Sequence, residues 1–334
     1  MATLLVTPKM PRALAARVEA SVSGRRGMPS RRRFTPRLVS IVRMGVVMAI
    51  LSLVSFVALA WRGEKLAFEK DRGALLVAVQ KESATLTDAD KGAVARIEAW
   101  LPRFGGTYEG DFVAPELRGG GGAGAAAMAA LVARPIVYLR GPLEDFGSVE
   151  GARRAAGASL KDAFTVCLAD PPPARAEKAL LPKVRSAYGS VAAVEQRTPN
   201  MRRLGEAETG MPLFAPPWTA RVLAAKEPKE LTALRTELER APLARAKQAV
   251  RAEVLLVVVD EPGAAGGLTE LDGERAHEVR VAFVDLAASK VLLRLRRKVD
   301  PSPWSQSART DFASGLDACA LAFDVRARGE DAAR

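Results

Sequence analysis

The chain has 334 residues and a formal charge of +12, from 50 Lys and Arg against 38 Asp and Glu. Its single histidine excludes a metal centre or catalytic dyad that needs two. Its two cysteines lie far apart and outside any C-x-x-C, which argues against dithiol redox chemistry. The charge sits at one end: residues 1–43 hold ten basic side chains and one acid, a net +9, leaving 40 basic and 37 acidic residues, a net +3, for the rest. So balanced a body offers no footprint for a polyphosphate, and nucleic acid is not an expected partner.

The basic tail leads into MGVVMAILSLVSFVALAW, residues 44–61, eighteen residues without a charge. That is the lower limit for a transmembrane helix. Counted from Leu38, with Arg43 snorkelling to the headgroups, the apolar run reaches about 36 Å as a helix, enough to span with tilt. Trp61 stands where an interfacial aromatic belongs, followed by Arg62, Glu64 and Lys65. With a tail of +9 before it, the segment predicts an N-in orientation with everything after Trp61 exported. Arg25, Arg26 and Arg31 to Arg33 are placed to meet anionic lipid. Two alternatives compete. Ala58-Leu59-Ala60 has the small-x-small form of a signal-peptidase site, although the apolar run exceeds the 7 to 15 residues usual for a cleaved signal. Ser30 to Phe34 resembles a twin-arginine signal, although Pro36, Arg37 and Arg43 separate it from the apolar run. No cysteine follows the run to carry a lipid anchor.

Arg far outnumbers Lys and Ala is abundant, as in proteins of GC-rich bacteria, so the expected address is a bacterial inner membrane with a periplasmic domain. The domain reading is a cytoplasmic tail (1–37), a membrane helix (38–61), a helical stalk and Gly/Ala-rich linker (62–127), and an exported α/β domain (128–334). The stretch KLAFEKDRGALLVAVQKE continues the membrane helix outward. Thr87 and Asp90 form a capping box for a second helix, with Val94, Ile97, Leu101 and Phe104 on one face. Gly119, Gly121 and Gly124 formally satisfy G-x-G-x-x-G. The preceding FVAPELR is a poor strand, so the glycines read as a linker and no cofactor is expected.

Beyond residue 130 the pattern is mixed. PIVYLRGP (135–142) and AFTVCLADPPP (163–173) read as strands, with a short helix between them completing a β-α-β unit. A helical region follows from Ala174 to about Tyr188. TGMPLFAPPWTA is too rich in proline for a regular element. Pro228 opens a helix that carries Leu231, Leu234 and Leu238. AEVLLVVVDEP is apolar without alternation, as a strand covered on both faces must be. HEVRVAFVDLAASKVLLRLRRKVDP reads as a hairpin turning near 285–290. Val279, Val281 and Phe283 share a face there with Val291, Leu293 and Leu295. Phe312, Leu316, Cys319 and Phe323 form the buried face of a closing helix.

This strand, hairpin and closing helix, residues 252–326, resemble the exported α/β modules of bacterial envelope-assembly lipoproteins, such as the curli-secretion and penicillin-binding-protein activator families. The resemblance rests on the order of elements, lacks the lipid-anchor cysteine, and implies a non-enzymatic envelope role. It assigns no residue.

Few residues offer chemistry. His277 stands at a strand start and reads as exposed, with no nucleophile-elbow motif to recruit it. Asp170 and Asp260 each end an apolar strand and Glu261 follows the second. On adjacent parallel strands the three would converge at one sheet edge and could hold Mg²⁺ for a hydrolase. The competing reading is that Asp before Pro simply ends strands. Cys167 and Cys319 are either a disulfide or two buried thiols. Arg280, Arg294, Arg296 and Lys298 share the hairpin's polar face, either as a docking surface for an acidic partner or anionic envelope polymer, or as a solvated edge. The fold expected is α+β (mixed α/β), with a central sheet of about five strands behind one transmembrane helix and a helical stalk. The function expected is a membrane-anchored, non-catalytic binding or scaffolding module whose partners are the lipid bilayer and envelope proteins or polymer. The alternative is an exported metal-dependent hydrolase.

Overall fold

The computed structural model describes residues 36–118, 123–262 and 276–331. The chain divides into two compact units, residues 1–66 and 67–334. Helix α1 (Pro36–Ser83) begins with a proline at its first position, where the missing N–H costs nothing. Every side chain from Met44 to Trp61 is exposed, Phe56 at 70% and Leu59 at 67%. Lys65 lies 3.6 Å over the Trp61 ring. Among the described residues, this is one helix long and apolar enough to cross a membrane.

The second unit is a six-stranded mixed sheet with helices on both faces. The strands are β1 (Phe112–Val113), β2 (Ile136–Pro142), β3 (Met201–Arg203), β4 (Val254–Asp260), β5 (His277–Asp285) and β6 (Lys290–Val299), in the order β1-β6-β5-β4-β2-β3. Strands β3, β2 and β4 run parallel, and β5, β6 and β1 extend the sheet antiparallel. Four of the expected five strands form, the one expected at 163–173 is a helix, and two strands of two and three residues, too short to show a period, bring the sheet to six. β4 is buried at all seven positions, as its unbroken apolar run requires.

The remaining helices are α2 (Asp88–Lys91), α3 (Ala93–Glu98), α4 (Ala123–Ala133), α5 (Val149–Ala158), α6 (Ala163–Ala169), α7 (Glu177–Tyr188), α8 (Val191–Arg197), α9 (Leu204–Gly210), α10 (Pro216–Ala224), α11 (Pro228–Arg240), α12 (Leu243–Val250) and α13 (Gln306–Asp331). One sheet face carries Tyr138, Leu256, Val258, Val281 and Phe283 against α4, α6, α7 and α13. The other carries Val137, Leu139, Leu255 and Val257 against Ile97, Leu101, Ala155 and Leu204. A Cβ at Gly141 would stand 2.6 Å from the Ala155 Cβ, so glycine is what lets α5 approach β2. A satellite cluster joins Leu75 and Val79, from the distal part of α1, to Trp218, Val222, Leu231 and Leu234. The outer part of the expected stalk therefore belongs to the compact unit.

Several expectations are corrected. Ala163–Ala169 is helix α6, not a strand: Asp162 caps it by accepting from the Phe164 and Thr165 N–H groups at 3.1 and 3.3 Å. Six of its seven residues are buried, and a short run that is apolar all round shows no period to separate helix from strand. Of the expected linker, residues 119–122 lie outside the described residues, while from Ala123 the chain is helical with Gly124, Met128, Leu131 and Val132 buried. The proline-rich stretch is helical too, because Pro212, Pro216 and Pro217 sit in first turns where no N–H is needed. The Thr87–Asp90 capping box forms, but the helix it opens ends at Gly92 and a separate one follows. In the hairpin, Phe283 pairs with Leu293 and Val284 with Val291. Leu292 is thus an extra residue, and this bulge turns Val291 to the opposite face from Leu293 and Leu295. The closing helix buries Leu316 and Cys319, but Phe323 is half-buried, and a break at Phe312 (φ −142°) separates that residue from the rest.

Cys167 on α6 and Cys319 on α13 form a disulfide that closes 152 residues of chain. A crosslink over so long a loop stabilises by roughly 3–5 kcal/mol in the chain-entropy account. The intact protein alkylated without reduction is therefore expected to take up no alkyl group. Cys167→Ala with Cys319→Ala should lower the chemical-denaturation midpoint by a corresponding amount; two alkylations on the native protein would show the bridge does not form.

Candidate functional site

β2 and β4 are parallel neighbours and end together, with Pro142 opposite Asp260. The chain leaves β2 for β3 on one side and returns to β4 on the other. Such a switch point opens a crevice at the carboxyl edge of a parallel sheet. Along β2 the alternation that sends Ile136 and Tyr138 to one face brings Arg140 to that same face. Asp260 follows Leu256 and Val258 there, and His277 precedes Val279 and Val281 on the next strand.

Arg140 donates to Asp260 through both arms of its fork, Nε to Oδ2 at 3.0 Å and Nη2 to Oδ1 at 2.9 Å. Its Nη1 donates to Asp162 at 3.1 Å, and its backbone N–H donates to Ser159 Oγ at 3.0 Å. His277 Nε2 lies 3.4 Å from Asp260 Oδ1. The side chains of Arg140, Asp260 and His277 are 6, 5 and 4% exposed, so the pair works in a low dielectric, where a planar bidentate fit matters most. The two carboxylates respond oppositely. Burial pushes Asp260 up, but the Arg140 guanidinium and His277 outweigh it and hold Asp260 below the ordinary aspartate range. Burial also pushes Asp162 up; there Arg140 does not fully compensate, the Asp260 charge adds to the push, and the net shift is upward. Two acids sharing one guanidinium divide in this way.

Beside this network lies a cavity of about 760 Å³ between the ends of β2 and β4 and helices α5, α7 and α8. Leu160, Tyr188 and Val191 stand at its rim, 66, 54 and 78% exposed. Its charged side chains are all in ion pairs. Lys161 meets Glu195 at 2.7 Å, Arg203 meets Glu206, and Asp145 meets Arg154. Burial holds Lys161 below the ordinary lysine range despite Glu195.

The carboxylates Asp170, Asp260 and Glu261 do not form one cluster. Asp170 is the C-cap of α6 and pairs with Lys183, a helix length of roughly 12 Å beyond Asp162. Asp260 belongs to Arg140, and Glu261 pairs with Arg280 and Arg296. Burial pushes Glu261 up, and those two guanidinium groups bring it below the ordinary range. Among the described residues no group of three His, Cys, Asp or Glu is placed to hold a metal ion. His277 is buried rather than exposed, because the sheet continues beyond it through Val299 on β6. Of the basic face, Arg280, Arg294 and Arg296 are engaged with Glu261, Glu109 and nearby backbone, and Lys298 lies 3.6 Å from Asp300 with its side chain 63% exposed. The acid brought to Asp260 is Asp162, which the sequence reading passed over. Two signals were present: an arginine inside the apolar strand IVYLR, since Arg is buried only when paired, and an aspartate directly before an apolar run.

Comparison with known protein families, curated proteins and solved structures finds no match to this chain.

Removing one partner of a buried ion pair leaves the other charge uncompensated. Arg140→Met is expected to cost about 3–5 kcal/mol by denaturant unfolding, and Asp260→Asn somewhat less because Asn still accepts from the guanidinium. Asp317 on α13 accepts from the Trp304 indole, and burial pushes its pKa up to about 6. A folded-state value above the unfolded one near ~3.9 favours the protonated acid, so this contribution is full below about pH 4 and lost as pH rises through 6. Asp317→Asn should flatten the stability profile between pH 4 and 6; an unchanged slope would assign that titration elsewhere.

Proposed function

We propose that this chain is a single-pass envelope protein, N-terminus in the cytoplasm, whose exported α/β domain is a non-catalytic binding module with its ligand seated at the carboxyl edge of β2 and β4. The observation that carries the binding reading is the cavity of about 760 Å³ there, with an apolar rim and a base whose charged groups are all committed to one another. Such a site recognises by shape and apolar contact, and it keeps a fixed floor because the buried ion pairs do not rearrange at low cost. The exposed Leu160, Tyr188 and Val191 suit an apolar segment of an envelope protein partner. The fully exposed apolar run of α1 and the +9 tail before it support the anchor and its orientation. The envelope-assembly resemblance of residues 252–326 is in keeping with a non-enzymatic role.

Two measurements check this reading. The protein recovered from cells should have its full-length mass and remain in the membrane fraction after alkaline carbonate; a mass that begins at Trp61 would mean a cleaved signal and a diffusing domain. The fluorescent apolar probe 8-anilinonaphthalene-1-sulfonate should bind the folded domain. Leu160→Glu with Val191→Glu should weaken that binding at least tenfold while altering stability by less than about 1 kcal/mol, since both side chains are exposed. Unchanged probe binding would remove the site from this edge.

A further inference from the structure

A second cavity, of about 540 Å³, lies on the sheet face that carries Val257 and Val259. Its floor is apolar: Val257, Val259 and Ala282 are nearly fully buried, and Val291 is half-buried. Beside the short helix Leu101–Arg103, the segment from Phe104 to Asp111 arches over this part of the face. The arch is fastened at both ends by arginines rising from β5 and β6. Arg280 Nη1 donates to the carbonyls of Phe104 and Gly106, at 3.2 and 2.6 Å. Arg294 Nε donates to the Gly110 carbonyl at 2.9 Å and its Nη1 to Glu109, while the Arg296 backbone N–H donates to Asp111 at 3.0 Å. Gly110, with φ +97°, makes the turn that returns the chain to β1. Between the fastened ends, Tyr108 hangs over the sheet with the guanidinium groups of Arg280, Arg294 and Arg296 at 5.6, 5.9 and 5.8 Å from its ring centre.

Protein interiors close on apolar surface and leave few voids larger than a water molecule. The segment covers Val257 and Val259 almost completely and still leaves a cavity beside them, its backbone held by charged bonds and the space lined by aromatic side chains. Trp100, Phe104 and Tyr108 line it, and the Arg103 guanidinium lies 4.3 Å over the Trp100 ring. The polar groups at the margin come as donors and acceptors side by side: Arg294 with Glu109, the Thr107 hydroxyl, and the exposed Arg103, which makes no ion pair among the described residues.

From this arrangement we infer that the arch and the sheet beneath it form a saccharide-binding site. A pyranose ring has a C–H face that packs on aromatic rings and an edge of hydroxyls, each of which needs a donor and an acceptor. The cavity supplies both in that relation. A purely apolar ligand would strip water from Arg294, Glu109 and Thr107 without replacing its hydrogen bonds. An extended polyanion would have to compete with Glu261 and Glu109, which already engage Arg280, Arg294 and Arg296. Because the arch is fixed before any ligand arrives, little ordering is needed on binding.

The test is saturation-transfer difference NMR on the whole protein in detergent, with N-acetylglucosamine and N-acetylmuramic acid as probes. Transfer to ring protons of at least one sugar is expected, with a dissociation constant in the millimolar range or tighter, weakened at least tenfold by Trp100→Ala and measurably by Arg103→Ala. Arg103 is exposed, so its variant keeps the fold and decides the matter if Trp100→Ala does not fold. Leu160→Glu with Val191→Glu should leave sugar binding untouched, which separates this site from the one at the carboxyl edge. No transfer from either sugar, or transfer equal in the wild-type protein and the Arg103 and Trp100 variants, overturns the inference.

Discussion

Arg140 has its side chain 6% exposed and meets two carboxylates, one from β4 and one from the cap of α6. A charge at that depth is tolerated only when every donor finds a partner in good geometry. The fork on Asp260 therefore fixes β2 against β4 at their carboxyl ends. The third contact, to Asp162, sets where α6 begins, and the Arg140 N–H bond to Ser159 ties in the chain just before it. From α6 the constraint passes through the Cys167–Cys319 bridge to α13, whose Asp317 holds the Trp304 indole. The carboxyl-edge cavity depends on this chain of contacts, since Arg140, Asp162 and Asp260 are part of its lining.

Arginine does different work on the two faces of one sheet. On the face toward α6 and α13 a single guanidinium is sunk among carboxylates and the surroundings are apolar. On the other face Arg280 and Arg294 hold a loop by its carbonyls and Glu109, while Arg280 and Arg296 pair with Glu261. The planar five-donor head suits both tasks, because its rigid fork reaches acceptors spread more widely than the three donors of one lysine ammonium can. Burial on one side and arching on the other leave two cavities of different character, one with an apolar rim and one with an aromatic wall and a polar margin.

Much of the second unit was legible along the chain. The β4 run, the hairpin, the Thr87 capping box and the Pro228 helix all follow from local rules, because each depends on residues within a few positions of one another. What misled was uniformity. AFTVCLA is apolar on every side, and without a period nothing local separates a buried helix from a buried strand. That error moved Asp170 to a strand end it does not occupy and hid Asp162, the acid that meets Arg140. The bulge at Leu292 was equally hidden, since nothing in KVLLRLR marks one leucine as extra, and the extra residue shows only in the pairing with β5.

By itself the sequence determined a charge-segregated chain with one uncharged apolar run near its basic end, a mixed α and β body beyond it, and a small reactive inventory. These are properties of composition and short-range pattern, which hydrophobic burial and helix capping read locally. Tertiary structure alone decided which carboxylate faces Arg140, that His277 is buried, and that the hairpin arginines grip an arch rather than face solvent. Each of those facts joins residues separated by roughly 20 to 190 positions, and no local rule spans such distances. They were settled by the parallel pairing of β2 with β4 and by the burial that this pairing imposes on whatever stands at its end.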